Sequence, residues 1–169
     1  VAALAVADFL TDKGADVRIK WPNDIYVRDR KICGMLIENS LRGDEVATSI
    51  VGIGINLNQR DFPAELANPT SLAIATGKEI GPKEALEDFL PFFLTRLEMS
   101  LTPEGRAEMR NDYLDILYRK DKPFPYRDNV TGEEFTGTIK GISDIGELLA
   151  EMPDKSIKSF SFKEIGYII

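Results

Sequence analysis

The chain has 169 residues, is 43% hydrophobic and carries a net charge of −7 at pH 7, which suits one or two small globular domains and gives no indication of a nucleic-acid partner. It contains no histidine, which excludes histidine triads and histidine metal sites, and its single cysteine, Cys33, excludes an intramolecular disulfide. A lone cysteine is typical of a reducing compartment, and no apolar run is long enough for a membrane helix, so we expect a cytoplasmic protein.

The first fourteen residues, VAALAVADFLTDKG, predict an alanine-rich helix with Gly14 at its C-terminal end. The stretch has no capping residue before it, and Asp8 together with the missing basic start argues against a signal peptide. We therefore expect the chain to begin within a helix and to be part of a longer protein, with a natural terminus after processing as the alternative.

The next forty or so residues predict four antiparallel strands with short connections. The candidate strands are DVRIKW, IYVRD, ICGMLIENS and EVATSIVGIGINLN, and the turns PND and RDRK separate the first three.

The fourth strand has one apolar face and one face of almost bare backbone, because side chains alternate along a strand. The apolar face holds Val51, Ile53 and Ile55, and the other holds Gly52, Gly54 and Asn56. Glycine within a strand usually marks the close approach of a ligand or of another backbone. The pattern therefore predicts either a ligand-binding face or tight packing against the first helix.

A loop-rich stretch, residues 59–81, precedes the helices, with Thr70 or Ser71 able to cap a short helix. Residues 82–101 then show apolar side chains at helical spacing, which predicts a helix that Pro91 should kink. The periodic side chains, which we expect in the core, are Leu86, Phe89, Leu90, Phe93, Leu94 and Leu97.

Residues 102–118 predict a further amphipathic helix, after which the helical periodicity stops. Short β-like runs separated by turn signals continue to the end of the chain. We therefore predict a domain of residues 1–120 and a small all-β domain of residues 121–169.

Polar side chains near the second strand could bind an anionic ligand that carries a metal ion. Asp24 could hold Mg²⁺, Lys31 offers a positive charge to phosphate or carboxylate, and Asn23 can both donate and accept hydrogen bonds. On composition alone, a solvated turn is the favoured alternative. Cys33 is most simply a small buried hydrophobic residue.

The order of three motifs, KWPND, DRKICGMLIE and GIGIN, resembles the biotin protein ligase family, and FTGTIKGISDIGELL is similar to the C-terminal SH3-like domain of that family. The resemblance runs from about residue 1 to 165. It implies an α+β fold, in which a class II synthetase-like catalytic domain with a mixed or antiparallel sheet and packed helices, truncated at its N-terminus, is followed by a small SH3-like β-barrel.

The resemblance also implies a ligase that activates biotin with MgATP to biotinyl-5′-adenylate and transfers biotin to a lysine of a biotin carboxyl carrier protein. The residues that match the family's catalytic positions are Lys31 and Asp24. Those that match its biotin-binding positions are Lys31, Gly34, Gly52 and Gly54. Those that match its nucleotide-binding positions are Asn23, Asp24 and Asn56, with Asp24 also serving the Mg²⁺ of MgATP.

The spacing of Lys31 and Gly34 raises a question of geometry. Residues three apart on a regular strand lie on opposite faces of the sheet. If both contact one ligand, either Lys31 reaches in from the turn or a β-bulge reverses the alternation.

The chain departs from the family by lacking the Arg- and Gly-rich loop that closes over the adenylate and an upstream strand that helps to hold biotin. It also has no DNA-binding domain, so the repressor role of some members is not implied. We expect this chain to be a poor ligase on its own, and either to form a homodimer or to need its missing part. The alternatives are a lipoate-type ligase and a non-catalytic module that docks a carrier or a second copy.

Overall fold

The computed structural model describes residues 1–43 and 45–169, and they divide into two compact units. The N-terminal unit is Val1–Ile116 and the C-terminal unit is Leu117–Ile169. Tyr118 stacks on Tyr167 within the C-terminal unit, at a ring-centroid distance of 6.0 Å. The division therefore falls before the change in composition near residue 120.

The N-terminal unit contains helices and one antiparallel sheet. Its helices are α1 (Ala2–Asp12), α2 (Leu72–Thr76), α3 (Pro82–Ser100) and α4 (Pro103–Asp115). Its strands are β1 (Val17–Lys20), β2 (Asp24–Val27), β3 (Arg30–Arg42) and β4 (Glu45–Ile55). The strands lie in the order β1-β2-β3-β4, each antiparallel to its neighbour, which confirms the predicted meander.

The ends of the first two helices follow local rules. After α1 the chain turns at Gly14, whose φ of +97° favours glycine, as the sequence predicts. Ser71 caps α2, because its hydroxyl accepts a hydrogen bond from the backbone N–H of Ile74 at 3.2 Å. Of the two capping residues predicted, Ser71 is therefore the one that caps.

The core of this unit lies between α1, one face of the sheet and α3. Phe9 and Leu10 of α1 are fully buried, and the apolar face of β4 packs against the same cluster. Phe9 meets Phe89 of α3 edge to face, with ring centroids 6.1 Å apart.

Helix α3 packs on the core with the phenylalanines of the predicted stripe but not with its leucines. Ala85 and Phe89 are buried, and Phe93 is partly buried against the core. The leucines are exposed: Leu86 by 56%, Leu90 by 44%, Leu94 by 54% and Leu97 by 41%. Their assignment to the core was wrong for the described part of the chain, because helical spacing produces two neighbouring apolar stripes and does not say which one packs.

The C-terminal unit is a second antiparallel sheet. Its strands are β5 (Pro123–Asp128), β6 (Glu134–Ile142), β7 (Leu148–Glu151), β8 (Ile157–Phe160) and β9 (Ile165–Tyr167), in the order β8-β7-β6-β5-β9. Tyr126, Ile139, Leu148 and Phe160 are almost fully buried in it. The molecule is thus an α+β protein with two antiparallel sheets.

Candidate functional site

A β-bulge places Lys31 and Gly34 on the same face of the sheet. In the β2–β3 pair, Asp24 lies opposite Gly34, whereas Tyr26 lies opposite Lys31, so β3 contains one extra residue between these pairs. Ile32 and its neighbour Cys33 are consequently both buried, at 0% and 1% exposure. Of the two explanations that the sequence leaves open for the spacing, the structure contains the bulge.

The side chain of Lys31 crosses over Gly34 to reach Asp24. Lys31 Nζ lies 2.6 Å from Asp24 Oδ1. A Cβ atom added at Gly34 would lie 3.0 Å from both Cε and Nζ of Lys31 and 3.5 Å from Asp24 Oδ1. Gly34 therefore leaves room for this ion pair, and a Cβ atom there would require the end of the Lys31 side chain to shift by a few tenths of an ångström.

The backbone of Lys31 is held by the loop between β4 and α2, residues 56–71. The N–H of Lys31 donates to the carbonyl of Asn68 at 2.8 Å, and its carbonyl accepts from the N–H of Thr70 at 2.8 Å. The side-chain amide of Asn68 also donates to the carbonyl of Asp29 at 2.7 Å. The root of the Lys31 side chain is thus fixed, while the side chain itself is 43% exposed.

The glycine face of β4 lies beside Gly34 and away from α1. Gly54 pairs with Gly34 and Gly52 pairs with Leu36 across the sheet. A Cβ atom at Gly54 would meet only the carbonyl oxygen of Gly34, at 3.6 Å, and one at Gly52 would meet only Leu36, at 3.7 Å or more. Tight packing of these glycines against the first helix, one of the two interpretations above, is therefore wrong, and this face of β4 is open.

A cavity of about 230 Å³ lies on this face. Its lining residues are Lys31, Cys33, Gly34, Gly54, Asn56, Leu66, Ala67, Asn68 and Pro69. It thus brings together four of the predicted site residues, on β3, on β4 and at the start of the β4–α2 loop. Asp24 adjoins it through its ion pair with Lys31, whereas Asn23 and Gly52 are not among its lining residues.

Both predicted asparagines use their amide groups to hold the backbone. Asn23 Nδ2 donates to the carbonyl of Met35 at 2.5 Å, which ties the β1–β2 turn to β3. Asn56 Nδ2 donates to the carbonyl of Thr70 at 3.0 Å, which ties the two ends of the β4–α2 loop together. These two hydrogen bonds do not involve the side-chain carbonyl oxygens of Asn23 and Asn56.

The buried thiol of Cys33 is unsuited to nucleophilic chemistry. Burial, with a smaller contribution from the nearby Asp24 carboxylate, raises the pKa of Cys33 to about 12. The thiol therefore stays protonated at neutral pH. This agrees with its interpretation as a small buried hydrophobic residue.

Sequence reasoning missed Lys20 and the β4–α2 loop. Lys20 lies directly opposite Asp24 in the β1–β2 pair, and its Nζ is 3.9 Å from Asp24 Oδ2. The alternation of β1, which buries Val17 and Ile19 and turns Lys20 to the other face, was the available signal. The loop gave no such signal, because its contacts with Lys31 are made by backbone atoms.

A larger depression, of about 710 Å³, lies elsewhere in the N-terminal unit, between α1, β1, α3 and α4. Its central cation, Arg96, is already paired with Asp8 and Asp112. Arg96 is thus used in holding helices together, so we place the candidate site at the smaller cavity beside Lys31.

The described residues contain no group of three or more acidic or cysteine side chains that could hold a metal ion. Among the helices in residues 1–43 and 45–169, none is long and apolar enough to cross a membrane.

Comparisons with known proteins agree on one family. A model of the biotin/lipoate A/B protein ligase family matches residues 1–56. The biotin–[acetyl-CoA-carboxylase] ligase of Paracoccus denitrificans is 34% identical over 160 residues, covering 90% of this chain and 65% of that protein. The bifunctional ligase/repressor BirA of Bacillus subtilis is 34% identical over 165 residues, covering 95% of this chain and 50% of that protein. This chain therefore spans about half to two thirds of the length of these relatives.

Solved structures give the same result. The biotin protein ligase from Aquifex aeolicus in complex with biotin and ATP superposes with a TM-score of 0.76 at 27% identity, covering 98% of this chain and 68% of that one. The apo structure of the ligase from the same organism gives a TM-score of 0.77 at 27% identity, covering 98% of this chain and 72% of that one. These matches show that the chain belongs to the biotin protein ligase family.

Proposed function

We propose that this chain supplies the ligand-binding centre of a biotin protein ligase, which activates biotin with ATP and transfers it to a lysine of a biotin carboxyl carrier protein. The observation that carries the proposal is the Lys31 ammonium group arched over Gly34 at the rim of a cavity with a glycine floor. A cation above bare backbone suits a ligand that has a flat body and an anionic end. Biotin, with its ring system and carboxylate, has this form.

In the first half-reaction, a carboxylate oxygen of biotin attacks the α-phosphorus of ATP. The bond from that phosphorus to the pyrophosphate oxygen breaks, which gives biotinyl-5′-adenylate and pyrophosphate. Negative charge gathers on the oxygens around the phosphorus, and a fixed cation stabilises it. In our proposal Lys31 is that cation, and Asp24 orients it in the absence of ligand.

In the second half-reaction, the amine of the carrier lysine attacks the acyl carbon of the adenylate. The bond to AMP breaks and the nitrogen loses a proton, which leaves biotin attached through an amide. In our proposal Asp24, which is 16% exposed beside Lys31, serves as the carboxylate near the incoming amine.

The nucleotide and its metal ion fit the remaining polar groups. Asn56 lines the cavity and keeps its carbonyl oxygen for the adenine edge, and Asn23 lies beside Asp24 at the turn. Mg²⁺ is commonly bound by one or two carboxylates together with substrate phosphates, and it neutralises phosphate charge. Asp24 would serve as that carboxylate for MgATP, and Gly52 would extend the open glycine face under the ligand.

The two domains predicted from the sequence take separate roles in this proposal. Residues 1–120 are part of a class II synthetase-like catalytic domain, and residues 121–169 form an SH3-like barrel; the two antiparallel sheets support both assignments. We further propose a cytoplasmic location, in line with the single buried cysteine, and a homodimer, in line with the exposed leucines of α3.

The test is calorimetric titration of the protein with biotin, with lipoate as the competing ligand, followed by biotin-dependent exchange of labelled pyrophosphate into ATP. We expect binding of biotin in preference to lipoate, and exchange that requires Mg²⁺. Lys83, an exposed lysine on α3, gives a matched control, because Lys83→Met removes one positive charge away from the cavity. Preference for lipoate, or no binding of biotin, would overturn the proposal.

A further inference from the structure

The Asp24 carboxylate lies between two lysines. Lys31 Nζ is 2.6 Å from Asp24 Oδ1, and Lys20 Nζ is 3.9 Å from Asp24 Oδ2. The three side chains come from three different strands, because Lys20 is opposite Asp24 across β1–β2 and Asp24 is opposite Gly34 across β2–β3. Two cations thus share one anion, each through a different oxygen.

The two lysines differ in their surroundings. The side chain of Lys31 is 43% exposed and lines the cavity, so it can turn from Asp24 to a ligand without moving its anchored backbone. The side chain of Lys20 is only 17% exposed, and its ammonium group lies 5.2 Å from the ring centroid of buried Tyr26. Lys20 is the enclosed partner of Asp24, and Lys31 is the exchangeable one.

A ligand anion in the cavity must compete with Asp24 for Lys31. When Lys31 turns to the ligand, the Asp24 carboxylate loses its nearest cation while it remains 16% exposed. An enclosed carboxylate without a cation is unfavourable. A second cation beside Asp24 reduces this cost and so favours the exchange.

We infer that Lys20 is a positioning residue, which keeps Asp24 paired while Lys31 exchanges from Asp24 to a carboxylate or phosphate oxygen of the ligand. The inference rests on the proposed function, since it takes biotin as the ligand. Lys20 acts through Asp24 and does not itself contact the ligand.

The first experiment compares biotin with biotin amide, which lacks the negative charge. Lys20→Met keeps an unbranched apolar stem against Tyr26 but removes the charge. We expect it to weaken biotin binding about tenfold, a coupling of the size found between neighbouring charges, and to leave the affinity for biotin amide unchanged. Lys20→Arg should restore the affinity for biotin, and Lys83→Met should leave both affinities at the wild-type value.

The second experiment repeats Lys20→Met in an Asp24→Asn background. If Lys20 acts through the carboxylate, its loss should have no further effect once that carboxylate is gone. A purely structural role against Tyr26 would persist in this background.

The outcomes separate the two proposals. If the wild-type protein does not bind biotin, the proposed function fails, and this inference fails with it. If the wild-type protein binds biotin but Lys20→Met binds it equally well, or loses biotin and biotin amide to the same extent, the inference alone is overturned. Circular dichroism checks folding; should Lys20→Met not fold, Lys20→Gln takes its place with the same expected result.

Discussion

Two clusters of three charges in the N-terminal unit have opposite composition. The Asp24 cluster, Lys20, Asp24 and Lys31, places one carboxylate between two lysines. The Arg96 cluster, Asp8, Arg96 and Asp112, places one guanidinium group between two carboxylates. The two clusters also differ in geometry and exposure. We infer from this difference that the Asp24 cluster can exchange partners, whereas the Arg96 cluster holds the fold together.

The ion pairs of the Arg96 cluster are enclosed and fixed by several hydrogen bonds. Arg96 is 13% exposed, and its Nε and Nη2 donate to the two oxygens of Asp8 at 2.7 and 3.0 Å, while Nη1 donates to Asp112. The cluster joins α1, α3 and α4 with the planar fork that suits arginine. The hydrogen bonds to Asp8, and then those to Asp112, raise the pKa of Arg96 above its usual value, so the charge is permanent.

The Asp24 cluster contains an ion pair that can separate, the one between Lys31 and Asp24. Among the described residues, the Lys31 ammonium group makes one ion pair, through a flexible stem, in contrast to the paired contacts of Arg96 with Asp8. Because Lys31 is 43% exposed and Lys20 stays beside Asp24, Lys31 can leave Asp24 at low cost. The comparison therefore assigns ligand binding to one cluster and stability to the other, and each prediction below tests that assignment.

The largest effect should follow from Lys31→Ala. In the full-length protein we expect biotin-dependent pyrophosphate exchange to fall by about 10²–10³-fold, as on removal of a charge-stabilising donor. The free energy of unfolding should change by less than about 1 kcal/mol, because Lys31 is 43% exposed and Lys20 remains beside Asp24. Exchange kinetics and urea unfolding measure the two quantities; exchange near the wild-type rate would show that Lys31 is not the cation of the reaction.

Arg96→Met should have the reverse profile. It leaves two partly enclosed carboxylates without their cation, and we expect the free energy of unfolding to fall by about 2 kcal/mol. Biotin affinity of the folded protein should stay unchanged. Arg60→Met is the matched control, since Arg60 pairs with Glu79 on the surface and its loss should cost less than about 0.5 kcal/mol. Equal losses in the two variants would remove the distinction between the clusters.

Gly34→Ala should weaken the ion pair between Lys31 and Asp24. Its Cβ would lie 3.0 Å from Lys31 Nζ, so the ammonium group must shift by a few tenths of an ångström from its position beside Asp24, and we expect biotin affinity to fall about tenfold. In Gly54→Ala the new Cβ would be at ordinary contact distance, 3.6 Å from the Gly34 carbonyl, so the loss should be smaller. Titration calorimetry decides between them, and a greater loss in Gly54→Ala would contradict the close approach of Lys31 to Gly34.

The smallest effect concerns a third pair, in the C-terminal unit. Asp128 is 5% exposed, lies 2.6 Å from Lys158 and also accepts from the N–H groups of Val130 and Thr131. The hydrogen bond from Lys158, followed by the one from Thr131, lowers the pKa of Asp128 to about 2 from its usual 3.8.

A lowered pKa in the folded state stabilises the fold above the unfolded pKa, and this stability is lost as the pH falls through the folded pKa. The difference in unfolding free energy between wild type and Asp128→Asn should therefore be complete above pH 4 and shrink towards pH 2. Urea unfolding at a series of pH values measures it, and a difference that does not depend on pH would contradict the assigned cause.

Much of the fold follows from local patterns. The antiparallel strands, the glycine after α1 and the cap at Ser71 depend on alternation, on backbone freedom and on one hydroxyl group, all of which are visible in the sequence. The glycine face of β4 was predicted for the same reason, because a regular strand fixes where Gly54 points.

Strand register and the pairing of side chains that are distant in the sequence could not be predicted from local patterns. The bulge at Ile32 is a shift in register between β2 and β3, and the residue type at that position does not predict it. Arg96 and Asp8 are 88 residues apart, and neither has a pattern that predicts the other. The exposed leucines of α3 show the same limit, because periodicity identifies an apolar stripe but does not identify its partner.

The bulge also has a consequence for the permitted length of this segment. Lys31 shares a face with Gly34 only because β3 holds one residue more than the strand it pairs with. Deleting either Ile32 or Cys33 would restore regular alternation and keep the lysine on the ligand face. The deletion would, however, remove one of two buried side chains from the core. Inserting a residue while the bulge is kept would turn the lysine away from the ligand. The three-residue step from lysine to glycine is therefore a fixed length, in which substitutions are tolerated more readily than any gain or loss of a residue.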